Sequence, residues 1–372
     1  MKIVCASSIL YGTETFSPLG NVVVIPDQDV SSEHIQNANI LIVRSKTKIN
    51  QSLLKDSAIK FVGTATAGTD HMDIPYLNDS GIAWSAAPGC NANSVAEYII
   101  TALLCLSDRG KTGLSKQTLG VIGVGEVGSR VVRKSQDLGM QVLACDPPKS
   151  EKTNNPDFLA LEEVLCQSDI ITLHVPLTRA GLYPTFRMAH EEFFKKAKPG
   201  STFINTSRGE VVDEEALLLA LQRQHIQNAV LDVWDHEPTI NKTLLEHVDI
   251  GTPHTAGLSF DGKLSGTIMV YRKACEFLGI NHVGDPTPSI DPREMIKKNT
   301  LNINEPETVW EIVRMAYDIE KEDHRLRSNI KSFAHLRSDQ LLRNEFSTFK
   351  VRMQNADRTL TEKVKALGFE IQ

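Results

Sequence analysis

The sequence lacks the features that mark secreted, membrane-spanning and nucleic-acid-binding proteins. Six of its 372 residues are cysteine and none forms a C-x-x-C pair, so we expect neither a disulfide framework nor a metal site. No run approaches the roughly 18 apolar residues of a membrane span, and the start, MKIVCASSIL, carries no secretory leader. A net charge of −6 provides no basic field for nucleic acid. We therefore expect a cytoplasmic protein without metal, membrane or nucleic-acid partners.

What is present is the composition of an ordinary folded protein, with 41% hydrophobic and 23% charged residues. A chain of 372 residues exceeds one usual core, so we expect two or three domains. Short apolar runs alternate with polar connectors from KIVCA to GIAWSAAPG, which predicts an α/β unit up to about residue 90. The nearly continuous apolar stretch 94–106 predicts a buried helix.

A second α/β series follows, from LGVIGVG to NAVLDVW, with apolar runs short enough for buried parallel strands. The segments VGSRVVRKSQDLG and DEEALLLALQRQ supply crossover helices, and Gly139 is placed to end the first. After about residue 290 the sequence changes to charged helical stretches, which indicates an added domain. We predict an α/β protein built on a Rossmann-like, doubly wound parallel sheet.

The strongest local motif is a glycine-rich turn that follows the apolar run 119–122 and opens a helix pattern. Its residues are Gly123, Val124, Gly125, Glu126, Val127 and Gly128. The first glycine permits a tight turn, the second lets a pyrophosphate approach the backbone, and the third allows close packing of helix on strand. The helix N-terminus then offers free N–H groups to the phosphates. The turn alone is a weak signal, and its position between strand and helix is what indicates a dinucleotide site.

The residue at the end of the next apolar run favours NAD over NADP. Asp146 closes QVLACD about 20 residues after the turn, where a carboxylate accepts hydrogen bonds from the ribose hydroxyls. A carboxylate there also repels a 2′-phosphate, and no arginine follows immediately. We therefore expect NAD as the cofactor.

Three chemically capable residues each follow a predicted strand: Arg208, Glu237 and His254. Oxidising a 2-hydroxy acid requires a base for the hydroxyl proton, and a histidine with a pKa near 6.5 suits this task. A carboxylate such as Glu237 can orient the ring through its other nitrogen, and the guanidinium of Arg208 suits the substrate carboxylate. Singly each residue also fits a structural role. Their joint occurrence behind a dinucleotide loop is what favours catalysis.

In the motifs GVGEVG, NTSRGEVVDEEAL, LDVWDHEP and PHTAG, and in their order, the chain resembles the D-2-hydroxyacid dehydrogenase family. The resemblance implies that Arg208, Glu237 and His254 are the catalytic set. It also implies a flavodoxin-like substrate domain beside the Rossmann-like domain.

A narrower resemblance, to the 4-phosphoerythronate dehydrogenase branch of that family, covers nearly the whole chain. It rests on the segments VRSKTKIN, KFVGTATAGTDHMD, SAAPGCNANSVAEY and CDPP. It implies a substrate site at Ser45, Thr66 and Leu258, and a cofactor site that adds Val175, Thr206, Ser207, Asp232 and Gly257 to Asp146 and the glycine turn. It further implies an α+β C-terminal dimerisation domain and hence a homodimer. Two positions depart from the branch, where a threonine is common at Val175 and a tyrosine at Leu258.

The stretch SKTK and the loop TATAGT combine positive charge, hydroxyls and accessible backbone N–H groups, which suits a phosphorylated acid. Lys46 and Lys48 equally fit a solvated surface. The expected domains are 1–93 with 258–289 for substrate, 94–257 for NAD and 290–372 for dimerisation, with the active cleft between the first two.

The residues indicate NAD-dependent oxidation of a phosphorylated 2-hydroxy acid, and the narrower resemblance implies that the acid is 4-phospho-D-erythronate, oxidised to the 2-oxo acid in pyridoxal 5′-phosphate biosynthesis. Two alternatives remain open. One is a dehydrogenase of another D-2-hydroxy acid, such as phosphoglycerate or a glycerate-like compound. The other is an NAD-sensing regulator that has the fold without turnover, although such a sensor needs no proton-transfer set.

Overall fold

Residues 1–110, 113–280, 299–338 and 343–372 are described by the computed structural model of the chain. They divide into two units, residues 1–91 with 258–280, and residues 92–257 with the described residues from 299 to 372. The predicted domain boundary at 289–290 lies outside the described residues. No helix among them is both long enough and apolar enough to span a membrane.

The helices in chain order are α1 (Gly12–Phe16), α2 (Ser32–Ile35), α3 (Gln51–Leu54), α4 (Ile74–Asp79), α5 (Ala92–Gly110), α6 (Glu126–Asp137), α7 (Pro147–Thr153), α8 (Leu161–Gln167), α9 (Glu191–Lys196), α10 (Glu214–Gln222), α11 (Lys242–His247), α12 (Phe260–Phe277), α13 (Val309–Ala316), α14 (Ile319–Ser328), α15 (Phe333–Ser338) and α16 (Arg358–Ala366). Short 3-10 turns accompany them at Ser17–Leu19, Leu114–Lys116, Gly209–Val211, Ile330–Ser332 and Phe346–Thr348.

Five strands form the sheet of the first unit: β1 (Lys2–Ala6), β2 (Asn21–Ile25), β3 (Ile40–Val43), β4 (Phe61–Thr64) and β5 (Ala83–Ser85). They run parallel in the order β2-β1-β3-β4-β5, the flavodoxin-like order. Every residue of β3 and β4 is buried, as expected of parallel strands covered on both faces. Helix α12 packs on this sheet so tightly that a Cβ at Gly63 would lie 2.3 Å from Val270 Cγ1. The predicted flavodoxin-like fold is confirmed.

Six strands form the main sheet of the second unit: β6 (Thr118–Ile122), β7 (Gln141–Cys145), β8 (Ile170–Leu173), β9 (Ser201–Asn205), β10 (Ile226–Leu231) and β11 (Ile250–Gly251). They are parallel in the order β11-β10-β9-β8-β6-β7. Beyond β7, Phe158 forms one isolated parallel bridge with Ala144. With that bridge in position 3, β7, β6, β8, β9 and β10 match the dinucleotide-binding order 3-2-1-4-5-6, and β11 adds a seventh position at the other edge, which confirms the Rossmann-like prediction.

The buried helix predicted at 94–106 is α5, which the structure extends to Ala92–Gly110. It is apolar on several faces because it packs against α6 on one side and against α13 and α14 on another. The side chain of Tyr98, within it, is fully buried, and its hydroxyl lies 2.7 Å from Thr252 Oγ1.

Three parallel strands with α13 to α16 make the C-terminal segment an α+β element: β12 (Asn299–Asn304), β13 (Phe349–Gln354) and β14 (Glu370–Ile371). The residues alone indicated only helices here, and the sheet was expected from the resemblance. Asparagine at positions 299, 302 and 304 is unfavourable in strands and obscures β12 in the sequence. The core of this segment is continuous with α5 through Val309, Trp310 and Phe346.

Candidate active site

The glycine turn between β6 and α6 has the geometry of a dinucleotide loop. Gly123 adopts a φ of 88°, which favours glycine. A Cβ at Gly128 would lie 2.0 Å from the carbonyl oxygen of Gly123, so only glycine allows the helix this close to the strand. An added Cβ at Gly125 would meet no atom within 4 Å, because the second glycine faces open space. The first and third glycines thus have the turn and packing roles of the motif, and the open space at Gly125 leaves room for a pyrophosphate.

The site offers unsatisfied donors where an anion and a ribose would bind. Within the described ranges, no side chain caps the N-terminus of α6, so the N–H groups of its first turn, near Glu126 and Val127, are available to a pyrophosphate. Thr206 follows β9, and its buried Oγ1 has no hydrogen-bond partner among the described residues. A buried hydroxyl without a partner is costly unless a ligand completes it, so these residues fit NAD.

Asp146 fastens the glycine turn to the next helix. Its Oδ2 accepts from the backbone N–H of Val124 at 2.8 Å, and its Oδ1 accepts from the N–H of Lys149 at 3.0 Å. Lys149 Nζ in turn donates to the carbonyl of Val124 at 2.7 Å. A carboxylate has lone pairs beyond these two bonds, so Asp146 remains able to accept from ribose hydroxyls.

Val175 and Ser207 follow β8 and β9. The hydroxyl and the N–H of Ser207 both donate to Asn205 Oδ1, at 2.8 and 3.0 Å, which fixes the turn that leads to Arg208. His174, beside Val175, is a neutral structural residue, since burial lowers the pKa of its ring to about 3.

Asp232 lies at the end of β10 and is 1% exposed. Its carboxylate accepts from Thr252 Oγ1 at 2.6 Å, from Thr255 N at 2.7 Å and from Ala256 N at 3.0 Å. Burial raises the pKa of Asp232, while these hydrogen bonds oppose the rise. The residue expected at the cofactor thus also holds the loop that carries His254 and leads to Gly257.

His254 and Glu237 form the hydrogen-bonded pair that the sequence predicted as base and orienter. His254 Nδ1 lies 2.8 Å from Glu237 Oε2, and Trp234 N donates to the other carboxylate oxygen at 3.0 Å. His254 adopts a φ of 59°, and its N–H donates to the carbonyl of Asp232 at 2.7 Å. Although burial acts to raise it, the hydrogen bond from His254 holds the pKa of Glu237 below its ordinary value. An ionised Glu237 only accepts, which leaves the proton on Nδ1 and the lone pair on Nε2.

Arg208, Glu237 and His254 follow β9, β10 and β11, which are adjacent in the sheet. Arg208 NH1 donates to the carbonyl of Ser207 at 2.8 Å, and Asn205 Nδ2 donates to the carbonyl of Arg208 at 2.9 Å. The next residue, Gly209, lies so close to Trp234 that a Cβ would come within 2.0 Å of its carbonyl group. Parallel strands bring their carboxyl ends to one edge, which is where such sheets bind ligands.

Arg337, which contacts both His254 and Glu237, was missed by the sequence analysis. Arg337, in α15, places NH1 3.3 Å from Glu237 Oε2 and NH2 3.5 Å from His254 Nε2. It lies 83 residues after His254 in the chain, within a charged helical stretch that matches no motif. No signal in the single sequence identifies it.

The predicted substrate residues of the first unit lie at strand ends and at the entry of a helix. Ser45 is exposed after β3, Leu258 is half-buried just before α12, and Thr66 Oγ1, after β4, donates to Gly68 O at 2.8 Å. Lys46 and Lys48 are exposed and line a groove of about 420 Å³.

Two further cations accompany Lys46 in this unit. Arg44 NH1 donates to the carbonyl of Ala65 at 2.7 Å, next to Thr66. Burial lowers the pKa of Lys263, in α12, to about 8, and the positive charges of Arg44 and Lys46 add to this effect, while the carboxylate of Asp27 opposes it. Three cations beside one carboxylate leave an excess of positive charge, which favours an anionic ligand. Among the described residues, no three His, Cys, Asp or Glu side chains group as metal ligands.

Comparison with known families matches two segments of the chain. Residues 106–256 match the NAD-binding domain of the D-isomer specific 2-hydroxyacid dehydrogenases. Residues 292–368 match a domain of unknown function.

Similar proteins extend the match to the full length. Erythronate-4-phosphate dehydrogenase of Photorhabdus laumondii is 40% identical and covers 100% of both chains. The enzyme of that name from Escherichia fergusonii is 41% identical over 96% of this chain and 95% of its own.

Solved structures agree in fold. The D-lactate dehydrogenase of Aquifex aeolicus, complexed with NAD and lactic acid, has a TM-score of 0.61 and 27% identity over 75% of this chain and 96% of its own. The NAD⁺-bound 3-phosphoglycerate dehydrogenase of Entamoeba histolytica has a TM-score of 0.61 and 26% identity over 77% and 97%.

Proposed function

The chain belongs to the erythronate-4-phosphate dehydrogenase family, a branch of the D-isomer specific 2-hydroxyacid dehydrogenases, and on that premise we propose that it oxidises 4-phospho-D-erythronate to 2-oxo-3-hydroxy-4-phosphobutanoate. The reaction belongs to pyridoxal 5′-phosphate biosynthesis. The observation that carries the proposal is the 2.8 Å contact between His254 Nδ1 and Glu237 Oε2, which leaves Nε2 as a base.

His254 Nε2 accepts the proton of the C2 hydroxyl as the C2–H bond breaks. NAD, when bound, accepts the hydride from the same carbon. Glu237 stabilises the imidazolium that forms, because its carboxylate stays ionised and bonded to Nδ1. Arg208 binds the substrate carboxylate through paired N–H groups and stabilises negative charge on the C2 oxygen.

The residues that would hold NAD surround the glycine turn and the strand ends of the same sheet. The donors at the start of α6 would bind the pyrophosphate, Asp146 would accept hydrogen bonds from the ribose hydroxyls, and Thr206 Oγ1 would hydrogen-bond to the cofactor. The full proposed set is Gly123, Gly125, Glu126, Val127, Gly128, Asp146, Val175, Thr206, Ser207, Asp232 and Gly257.

Ser45, Thr66 and Leu258 are the proposed substrate contacts. The cations Arg44, Lys46 and Lys263 support a phosphorylated substrate, because their repulsion is relieved by a phosphate dianion. Leu258 has no hydroxyl with which to contact the substrate. Recognition of the substrate therefore depends more on its phosphate and its C2 hydroxyl than it would with a tyrosine at this position.

We assign residues 1–93 with 258–289 to substrate binding, 94–257 to NAD binding and 290–372 to a homodimer contact. The dimer proposal rests on the resemblance of the C-terminal segment. All six cysteines lie within the described residues and form no disulfide, which supports a reducing, cytoplasmic location.

The test is turnover of the purified protein with NAD and a panel of D-2-hydroxy acids, followed as NADH formation. We expect 4-phospho-D-erythronate to exceed 3-phosphoglycerate and glycerate in kcat/KM. His254→Ala and Arg208→Ala should lose most of the activity while they remain folded. Preference for another acid would identify a sister dehydrogenase, and NAD binding without turnover of any acid would identify a sensor.

A further inference from the structure

Arg337 contacts the His254–Glu237 pair from the C-terminal segment. Its side chain is 38% exposed, and its two terminal nitrogens divide between the pair, NH1 at 3.3 Å from Glu237 Oε2 and NH2 at 3.5 Å from His254 Nε2. Glu237 Oε2 therefore has two partners, the ring of His254 and this guanidinium. The guanidinium thus contacts both members of the pair.

The contact with Arg337 favours the form of the His254 ring in which Nδ1 carries the proton and Nε2 does not. A guanidinium has donors only, so a favourable contact with Nε2 requires that nitrogen to carry a lone pair. A protonated Nε2 would instead oppose two positive groups at 3.5 Å. The contact at Glu237 acts in the same direction, because a carboxylate with two donors stays ionised and keeps the ring proton on Nδ1.

We propose that Arg337 is a positioning residue for the oxidation: in the substrate-free protein its guanidinium donates to Nε2 and holds His254 in the neutral tautomer, and the substrate hydroxyl replaces that donor at Nε2 on binding. The role of Arg337 in the oxidation rests on the proposed function. Its effect on the proton of His254 does not depend on that function. The C-terminal segment thereby supplies a part of the active site in addition to any dimer contact.

The length of related structures agrees with such an addition. The D-lactate dehydrogenase chain aligns over 96% of its own length and only 75% of this chain. The unmatched share is large enough to contain the segment 292–368 that carries Arg337.

The charges that face His254 come from several elements. The negative charges of Glu237, after β10, and of the buried Asp232 attract a protonated ring. The positive charge of Arg337, in α15 and 3.5 Å from Nε2, repels it. Arg343 donates to the carbonyl of Ala256 at 2.8 Å, two residues after His254, and adds a second positive charge nearby. Removing the charge of Arg337 should therefore favour a protonated ring, since less positive charge opposes the added proton.

The experiment measures that protonation directly in the substrate-free protein. Diethyl pyrocarbonate modifies unprotonated imidazole, and peptide mass spectrometry reports the rate at His254 from about pH 5 to about pH 9. Arg337→Gln and Arg337→Met should move the midpoint up by about one pH unit, whereas Arg337→Lys should shift it by less than half as much. Arg358→Gln is the matched control, because Arg358 is an exposed arginine of α16 whose side chain is 90% exposed.

An unchanged midpoint in both neutral variants would overturn the proposal. A raised midpoint should be accompanied by the same upward shift in the acid limb of kcat/KM with 4-phospho-D-erythronate. If the midpoint rises while the protein turns over no hydroxy acid, the role of Arg337 stands and the proposed function fails. Thermal unfolding of all variants checks that each is folded.

Discussion

The backbone carbonyl of Asp232 accepts a hydrogen bond from the N–H of His254 at 2.7 Å, and the carboxylate of the same residue accepts from the next two N–H groups, those of Thr255 and Ala256. The buried Asp232 therefore fixes the backbone conformation at His254, the proposed base. Because His254 has a φ of 59°, its loop depends on such outside support.

Asp232→Asn tests this support. The new amide keeps one acceptor but turns an N–H₂ group toward a backbone donor, so we expect a loss of about 1–3 kcal/mol in the free energy of unfolding. The kcat should fall more than the KM for substrate rises, since the ring is displaced. Urea unfolding and steady-state kinetics measure the two effects. Asp157→Asn, at an exposed position, is the control, and equal kcat in Asp232→Asn and this control would contradict the prediction.

The glycine turn allows stability to be separated from cofactor binding. Gly128→Ala places a Cβ 2.0 Å from the oxygen of Gly123, so it should cost about 3 kcal/mol of stability. Gly125→Ala meets no atom and needs no unusual φ, so it should fold normally and weaken NAD binding at least about tenfold.

Calorimetry with NAD and thermal unfolding distinguish these two outcomes. Gly113→Ala serves as the control, because its added Cβ also meets no atom and it lies outside the turn. Full NAD affinity in Gly125→Ala would show that the pyrophosphate binds elsewhere.

Lys263→Met tests the proposed recognition of the phosphate. Loss of the ammonium should raise the KM for 4-phospho-D-erythronate about tenfold and leave that for D-glycerate nearly unchanged. In the native protein the same KM should rise as pH passes about 8, where the pKa of Lys263 lies and its charge is lost. Lys273→Met, at an exposed position of the same helix, provides the comparison. A KM that rises equally for both acids would contradict a phosphate role.

Some features of the fold and of the candidate site could be predicted from the sequence, and others could not. The glycine turn, Asp146 and the pair of Glu237 and His254 were predicted because each is tied to a short motif at a strand end. The parallel direction of the strands follows from the alternation of apolar runs and helices, since parallel strands need crossovers, whereas the order of the strands does not follow from it.

Contacts between distant segments were not accessible in this way. Arg337 reaches Glu237 across 100 residues, and nothing in its neighbourhood marks it. The second role of Asp232, as a support for the His254 loop, likewise depends on tertiary packing, because its partners lie 20 to 24 residues later.

Distant segments also meet at Glu97, a buried acid of the second unit. It is 1% exposed in α5, and both carboxylate oxygens accept from the N–H of Phe346 at 3.1 Å. Burial, together with the nearby Glu345, raises the pKa of Glu97 to about 8 from an ordinary 4.5. Between these values the folded state keeps a proton that the unfolded state releases, so this group lowers stability progressively as pH rises.

Glu97→Gln removes the carboxyl group, so residue 97 no longer releases a proton when the protein unfolds. Relative to the native protein, the variant should therefore gain stability between about pH 5 and about pH 8, with a slope of at most about 1.4 kcal/mol per pH unit. Urea unfolding across this interval measures the difference between the two proteins, and the constant cost of the substituted amide cancels from the slope. Glu362→Gln, whose side chain is 65% exposed, should run parallel to the native protein. If Glu97→Gln also ran parallel, Glu97 would be ionised throughout, and Arg343, with a nitrogen 3.5 Å from its carboxylate, would have outweighed the desolvation.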